Sequence, residues 1–309
     1  MKIILFSLLA CGLLFTACEP SPPITPNNDA KLIFKLKFDS TQTRLNALAQ
    51  TAPMPAGHAG QHPKFNGMSA HKIELVPNSL TPVNAGPVVY HGPETNAGGD
   101  NAIKFNEAII KKEGETFYEV PLKDIAAGTY EYIRVSVSYQ NYDVYYDINN
   151  VPTWPSGTIN LPNQKGTIAS FVGFNTYINS ITPKNITKSV NANKLQGYWA
   201  FETDLSSPYN SANAIYTGAA PGTTVVNPIS STAPTPSGSC LVTGTFDGNA
   251  LEITGNETED IIVTLSFSTN KSFEWVDSNG NGKLDIDVST GTTETVVDMG
   301  LRGLKASYQ

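Results

Sequence analysis

The run Asp277-Ser278-Asn279-Gly280-Asn281-Gly282-Lys283-Leu284-Asp285 places an oxygen-bearing side chain at alternate positions, with glycine at the sixth. Calcium takes six to eight oxygen ligands at about 2.3–2.6 Å, and a tight loop with this spacing can supply them. The candidate ligands are Asp277, Asn279, Asn281, the backbone carbonyl of Lys283, and Asp285. The same residues support a second reading. Asn279-Gly280 and Asn281-Gly282 are strong turn dipeptides, and a hairpin turn needs no metal. A calcium ion bound here would staple one strand to the next, because no pair of helices is expected for it to open.

A second constellation is softer. All four histidines, His58, His62, His71 and His91, fall within 34 residues, with Met54 and Met68 beside or inside that window. Imidazole with thioether suits copper, and imidazole alone suits zinc. His58 and His62 have the i, i+4 spacing of a two-ligand helix face, but Gly57, Gly60 and Pro63 argue against a helix there. No HExxH or CxxC pattern accompanies them. Copper or zinc handling therefore stands beside a plainer alternative, histidines solvated on a polar loop.

Aromatic residues crowd two stretches, Tyr139 to Trp154 and Tyr198 to Phe201. Tyr142, Tyr145, Tyr146, Trp154 and Trp199 could form a platform for sugar rings or a protein partner. Alternatively they fill the core, since large aromatics are good strand formers. Enzyme chemistry has no motif behind it. There is no G-x-S-x-G elbow, P-loop or dinucleotide fingerprint, and Ser268-Thr-Asn-Lys271 lacks the partners an S-x-x-K nucleophile needs. Nothing singles out a carboxylate pair for glycoside hydrolysis. The chain is expected not to be an enzyme.

The elements that must position these groups are strands. Leu32, Phe34, Leu36 and Phe38 alternate with Lys31, Ile33, Lys35 and Lys37, and Ile133, Val135, Val137 and Tyr139 alternate with Tyr132, Arg134, Ser136 and Ser138. Shorter runs of this kind recur up to Val276, separated by Gly, Pro, Asn, Asp and Ser clusters. The pattern predicts an all-β fold, an antiparallel β-sandwich of immunoglobulin-like or jelly-roll-like kind, as one large or two smaller sandwiches. Only Thr41 to Ala49 and Asn106 to Lys112 have short helical character. Residues 203–238, rich in Ser, Thr, Pro, Ala and Gly, are either a long loop or a linker between two units.

The N-terminus bears on location. Lys2, the apolar run Ile3 to Phe15 and the small residues Thr16-Ala17 have the layout of a secretory signal over residues 1–17. Phe15-Thr16-Ala17-Cys18 resembles the lipobox of bacterial lipoproteins, which are cut before the cysteine and diacylated on its sulfur. The resemblance implies lipidation of Cys18 and attachment to a membrane without a spanning helix. It also implies that Glu19, not the inner-membrane retention residue Asp, leaves export to the outer membrane open. Residues 18–29 carry four prolines and would form an extended tether, with the body at 30–309. Loss of Lys2 leaves 19 basic and 27 acidic side chains, a net of −8 with no basic stripe, so nucleic acid is not an expected partner. Cys240 is left without a cysteine to pair with inside the body. The expected partners are the membrane, through the lipid, and a glycan or envelope protein.

Two further resemblances are local. The 277–285 loop is similar to those of EF-hands and dockerin-like repeats, but Val288 stands where the bidentate Glu would be, and Ser272 to Val276 reads as strand. Pro121 to Val135, with its Gly-Thr-Tyr at 128–130, resembles a turn-and-strand unit of exported bacterial β-sandwich domains and speaks only to fold.

Overall fold

The computed structural model describes residues 29–220, 226–236 and 239–309. The leader, Cys18 and the tether up to residue 28 lie outside the described residues. The described chain is all-β and sandwich-type, with antiparallel and mixed sheets. Among the described residues, helical structure is confined to 3-10 turns at Phe105–Glu107, Leu122–Asp124 and Tyr209–Ala212.

A 13-stranded sheet organises the molecule around one long strand, Tyr132–Pro152. Its path runs from Ile215–Ala219 through Tyr198–Asp204 and Thr158–Phe171 to that strand. It continues through Leu241–Phe246, Leu304–Tyr308, Ile261–Ser268 and Lys31–Asp39 to Thr116–Pro121. Most neighbours are antiparallel, but Lys31–Asp39 pairs parallel with Ile261–Ser268, and Leu241–Phe246 parallel with Leu304–Tyr308. A residue pattern of period two reports the faces of a strand, not the direction of its neighbour, so these parallel pairs were invisible in it.

The long strand changes partner on both edges. On one edge residues 132–143 pair with Lys64–Val76, and residues 147–149 then pair with Asp285–Asp287. On the other, residues 132–136 pair with Leu241–Phe246, and residues 139–152 form a hairpin with Thr158–Phe171. Its inner half faces the main core, where Ile133, Val135 and Val137 meet Leu32, Phe34, Leu36, Ile73, Leu75, Val242, Val263, Leu265 and Phe267. Strands widely separated along the sheet share this cluster, so the sheet wraps around its own apolar face. Beyond residue 138 the strand serves two smaller cores, one holding Tyr142, Val144, Tyr146, Phe273 and Trp275, the other Tyr139, Phe171, Ile178 and Ala200.

Neither helical expectation is met. Over 41–49 the backbone is captured by side chains: Asp39 Oδ1 accepts from the Thr41 amide at 2.8 Å, and Asn46 Oδ1 from the amides of Leu48 and Gln50 at 2.9 and 3.0 Å. Such local acceptors compete with helix formation. Over 106–112 the 3-10 turn gives way to a bridge between Lys111 and Met68. Within 203–238, Ile215–Ala219 pairs with Tyr198–Asp204, and the strands flanking the segment both belong to the large sheet.

One expected polar face is buried. Arg134 sits inside the protein, its guanidinium 3.4 Å from Glu74 Oε1 and donating to the carbonyls of Thr81 and Pro82 at 2.6 and 3.0 Å. Glu74 accepts from the amides of Asn84 and Gly86 at 3.1 and 2.8 Å, so one buried pair fastens the 77–87 loop over the sheet. Breaking a buried pair by deleting one partner costs about 3–5 kcal/mol. Arg134→Met is therefore expected to lower the urea unfolding free energy by about that amount, and Arg134→Met/Glu74→Gln to recover more than half of it. A loss below about 0.5 kcal/mol in the single variant, the range of an ordinary surface change, would refute this role.

Candidate functional site

Trp154 stands at the tip of the hairpin that joins Tyr132–Pro152 to Thr158–Phe171, in the turn Thr153-Trp154-Pro155-Ser156-Gly157. Its side chain is 95% exposed. Tyr145, on the same strand, is 49% exposed, its backbone N–H and C=O both taken by the Gln61 side-chain amide at 2.8 and 2.9 Å. The other platform candidates do not join them. Tyr142 and Tyr146 are buried, and burial pushes both phenols well above their ordinary range. They point to the core because even-numbered residues of the outer strand face the cluster around Trp275. Trp199 is half-buried and lies over Gly218 of the neighbouring strand, where an added Cβ would stand 2.3 Å from the indole.

The 277–285 loop braces the base of the hairpin. It leaves Phe273–Val276 and enters Asp285–Asp287, which runs parallel to residues 147–149 of the hairpin. Gly280 and Gly282 have φ of +73° and +75°, positions that a residue with a side chain adopts only with strain. Asp277 accepts from the amides of Asn281 and Gly282 at 3.1 and 2.9 Å, and Asn281 Oδ1 accepts from the Lys283 amide at 2.7 Å. Asp285 lies at the centre. Its Oδ2 receives the side-chain amides of Asn279 and Asn281 at 2.8 and 2.7 Å, and its Oδ1 that of Asn149 at 2.7 Å.

Asp277, Asn279, Asn281 and Asp285 are thus brought onto one hydrogen-bonded loop. The Lys283 carbonyl accepts from the Trp275 indole at 3.0 Å, and its ammonium pairs with Asp147 at 2.8 Å. The donor set is all oxygen once the side-chain amides of both Asn279 and Asn281 are turned by half a rotation, which suits a hard cation. Two contributors escaped the sequence reading. Glu294 accepts from Ser278 and from the Asp285 amide, and Asn149 comes from the hairpin itself. Asn149 arrives by long-range pairing and Glu294 by the turn back after Asp285–Asp287, and the loop's own spacing carries no signal for either. Asn149, Ser278, Asn279, Asp285, Asp287 and Glu294 line a pocket of about 310 Å3.

The histidine–methionine set does not form a single site. Met68 is in the main core, and Met54 packs its methyl near Gly60. His62 accepts from the Lys271 amide through Nδ1 at 3.0 Å. His58 Nδ1 lies 2.6 Å from Glu274, a buried carboxylate that also pairs with Arg44 and, at 2.6 Å, with Arg302. Burial lowers the Arg302 pKa, opposed by Asp298 at 3.1 Å and by Glu274. His71 and His91 are elsewhere, with ring centroids 4.8 Å apart, and are joined by Glu94, which the sequence reading did not include. A window of sequence crowding separates here because its residues lie on different strands with different partners.

No family model, no characterised protein and no solved structure matches this chain. Its function must be argued from these residues.

Glu274 pairs with two guanidiniums in the interior, one of which Asp298 also reaches. Glu274→Ala is expected to cost about 3–5 kcal/mol in chemical denaturation, since it leaves Arg44 and Arg302 without their shared partner. His58→Ala, on the more exposed rim of the cluster, is expected to cost under about 1 kcal/mol. Equal losses in the two variants would show that His58 is integral to the cluster.

Proposed function

We propose that this chain is a lipid-anchored envelope protein of the outer membrane whose β body binds a glycan through Trp154, with a calcium-binding loop bracing the hairpin that presents it. The observation that carries the reading is the exposure of Trp154 at the hairpin tip, in a fold that buries Tyr142 and Tyr146 of the same strand. An indole left in water can stack on a sugar ring, and covering such apolar surface is worth on the order of 1–3 kcal/mol. Tyr145 supplies a second exposed ring on the same hairpin.

The polar pocket at Asp285 and Glu294 begins beside Asn149, five residues before the tip, or roughly 16 Å of extended chain. Asp285 and Glu294 already accept backbone and amide hydrogens. That occupation favours a structural or binding role for the pocket over general acid and base work. Lipid anchoring rests on the sequence at 15–18. Among the described residues, no helix is long and apolar enough to cross a membrane.

Three measurements test the parts separately. In pull-downs on a panel of insoluble and immobilised polysaccharides, Trp154→Ala is expected to weaken retention about tenfold or more at unchanged melting temperature. Retention of every polysaccharide equal to that of the variant would overturn the glycan reading. Calcium at about a hundredfold over its dissociation constant is expected to raise the melting temperature by about 5–10 °C. Asp277→Asn should abolish that rise, and an unresponsive wild-type protein would reduce the loop to a turn. Cys18→Ala is expected to move the full-length protein from the membrane fraction to the soluble one, and its retention in the membrane would overturn the anchor.

A further inference from the structure

His71, His91 and Glu94 converge at a point remote in sequence from the calcium-type loop. His71 Nε2 lies 2.9 Å and His91 Nε2 3.1 Å from the same oxygen, Glu94 Oε1, and one ligand atom from each residue falls within 4.8 Å of the others. The other carboxylate oxygen is held by the Asn101 side-chain amide at 2.8 Å, which leaves Oε1 facing the two imidazoles. A fixed outer partner of this kind is what orients a metal-ligating carboxylate.

Two independent features point to a ligand. The first is that His71 is 5% exposed and its Nε2, 2.9 Å from Glu94 Oε1, has no other polar partner. A buried ring nitrogen left in this state is costly unless something else fills its lone pair or accepts its proton. The second is the backbone. In the ladder between Lys64–Val76 and the long strand, Ser69 pairs with Tyr139, Ala70 with Val137 and Lys72 with Ser136, so the pairing is irregular here and leaves both His71 and Ser138 out of it. An irregularity of this kind re-aims a side chain. The His71 carbonyl is retained by the Gly92 amide at 2.6 Å, which draws the His91 to Glu94 turn onto this point.

We propose that His71, His91 and Glu94 form a three-ligand site for a first-row divalent transition cation of the zinc type. Two imidazoles and one carboxylate are a donor set that such cations accept, with a remaining position for water or an exogenous ligand. At zinc–ligand bonds of about 2.0–2.2 Å, donor atoms stand about 3.4 Å apart in a tetrahedron, so the present spacings require adjustments of around an ångström. The burial of the three side chains is graded, from His71 at 6% through Glu94 at 29% to His91 at 48% exposed, which leaves entry and the open position on the His91 side. The Phe174 ring, itself exposed, stands 5.5 Å from the His71 ring and gives the site an apolar neighbour.

The test uses untagged protein, stripped with chelator and dialysed, in saturating calcium so that the oxygen-rich loop is not read. Zinc is titrated calorimetrically, and cobalt is titrated by its visible ligand-field bands. One equivalent per chain is expected, with bands of four- or five-coordinate cobalt. His91→Ala and Glu94→Gln, both on the exposed side, are expected to melt within about 2 °C of the metal-free wild type and to lose at least about a hundredfold in affinity. His58→Ala/His62→Ala should bind as wild type. Substoichiometric zinc uptake by folded wild type would overturn the site. So would unchanged affinity in His91→Ala and Glu94→Gln, or loss of binding in the His58/His62 variant instead. The glycan reading stands or fails without reference to any of these results, since Trp154 is untouched.

Discussion

The backbone ladder of Tyr132–Pro152 is the constraint on which the rest of this protein depends. A strand of 21 residues is too long for one core, and here each edge changes neighbour part-way along. On one edge Leu241–Phe246 ends opposite Ser136 and Thr158–Phe171 begins opposite Tyr139. The intervening groups are paired singly: the Val137 amide donates to the Cys240 carbonyl at 3.0 Å, and the Ser138 carbonyl accepts from the amides of Val172 and Gly173 at 3.0 and 3.2 Å. The opposite edge becomes irregular at the same height, where Ala70 pairs with Val137 and both His71 and Ser138 are left out of the ladder. The His71 carbonyl is satisfied from its other side, by the Gly92 amide at 2.6 Å.

The same reasoning explains the hairpin end. After residue 143 the long strand loses Lys64–Val76 on one edge, and from Asp147 that edge is taken by Asp285–Asp287. A three-residue strand forms few ladder bonds, and side chains supplement them. Asn149 reaches Asp285, Asn150 reaches Asp287 at 2.7 Å, and Lys283 reaches Asp147. The oxygen-rich loop is therefore where a weakly paired strand is fastened to the hairpin. Without disulfides in the described body, these polar fastenings and the buried Arg134–Glu74 and Arg44–Glu274–Arg302 groups fix which loop lies where. Burying charge is costly in itself, and the cost is offset only where the charges are brought against one another.

This division governs how much could be read from residue order. The alternation Ile133, Val135, Val137 reports a strand face directly, and all three are buried in the main core. Arg134 sits on the opposite face, which the pattern assigns to solvent, and is buried because the 77–87 loop folds over it. Nothing in the spacing around Arg134 encodes that loop. Thr41 to Ala49 has short helical character, yet Asp39 and Asn46 offer the backbone nearer acceptors. The loop at 277–285 is legible because its chemistry is contiguous. Asn149 comes from a strand paired to it at long range, and Glu294 from the segment that follows the next short strand pair. Likewise, four crowded histidines were visible, but their separation into two pairs of places follows from a register that local sequence does not carry.

Both clusters of potential metal ligands sit where the long strand changes or gains a neighbour, and the chemistry of each fits its depth. At the rim, the oxygen-rich loop is made of short side chains and glycines that adapt to a hard cation, and its groups are mostly exposed. At the irregular stretch of the ladder, His71 is fixed within the body and Glu94 is held by Asn101, so two of the three side chains are anchored. Adaptable oxygen ligands suit an ion that tolerates variable coordination, and oriented imidazoles suit one that demands a few short bonds. A sheet uninterrupted along both edges would leave neither loop close to its strand partners. The partner changes along a single over-long strand thus also decide where both clusters of candidate ligands stand.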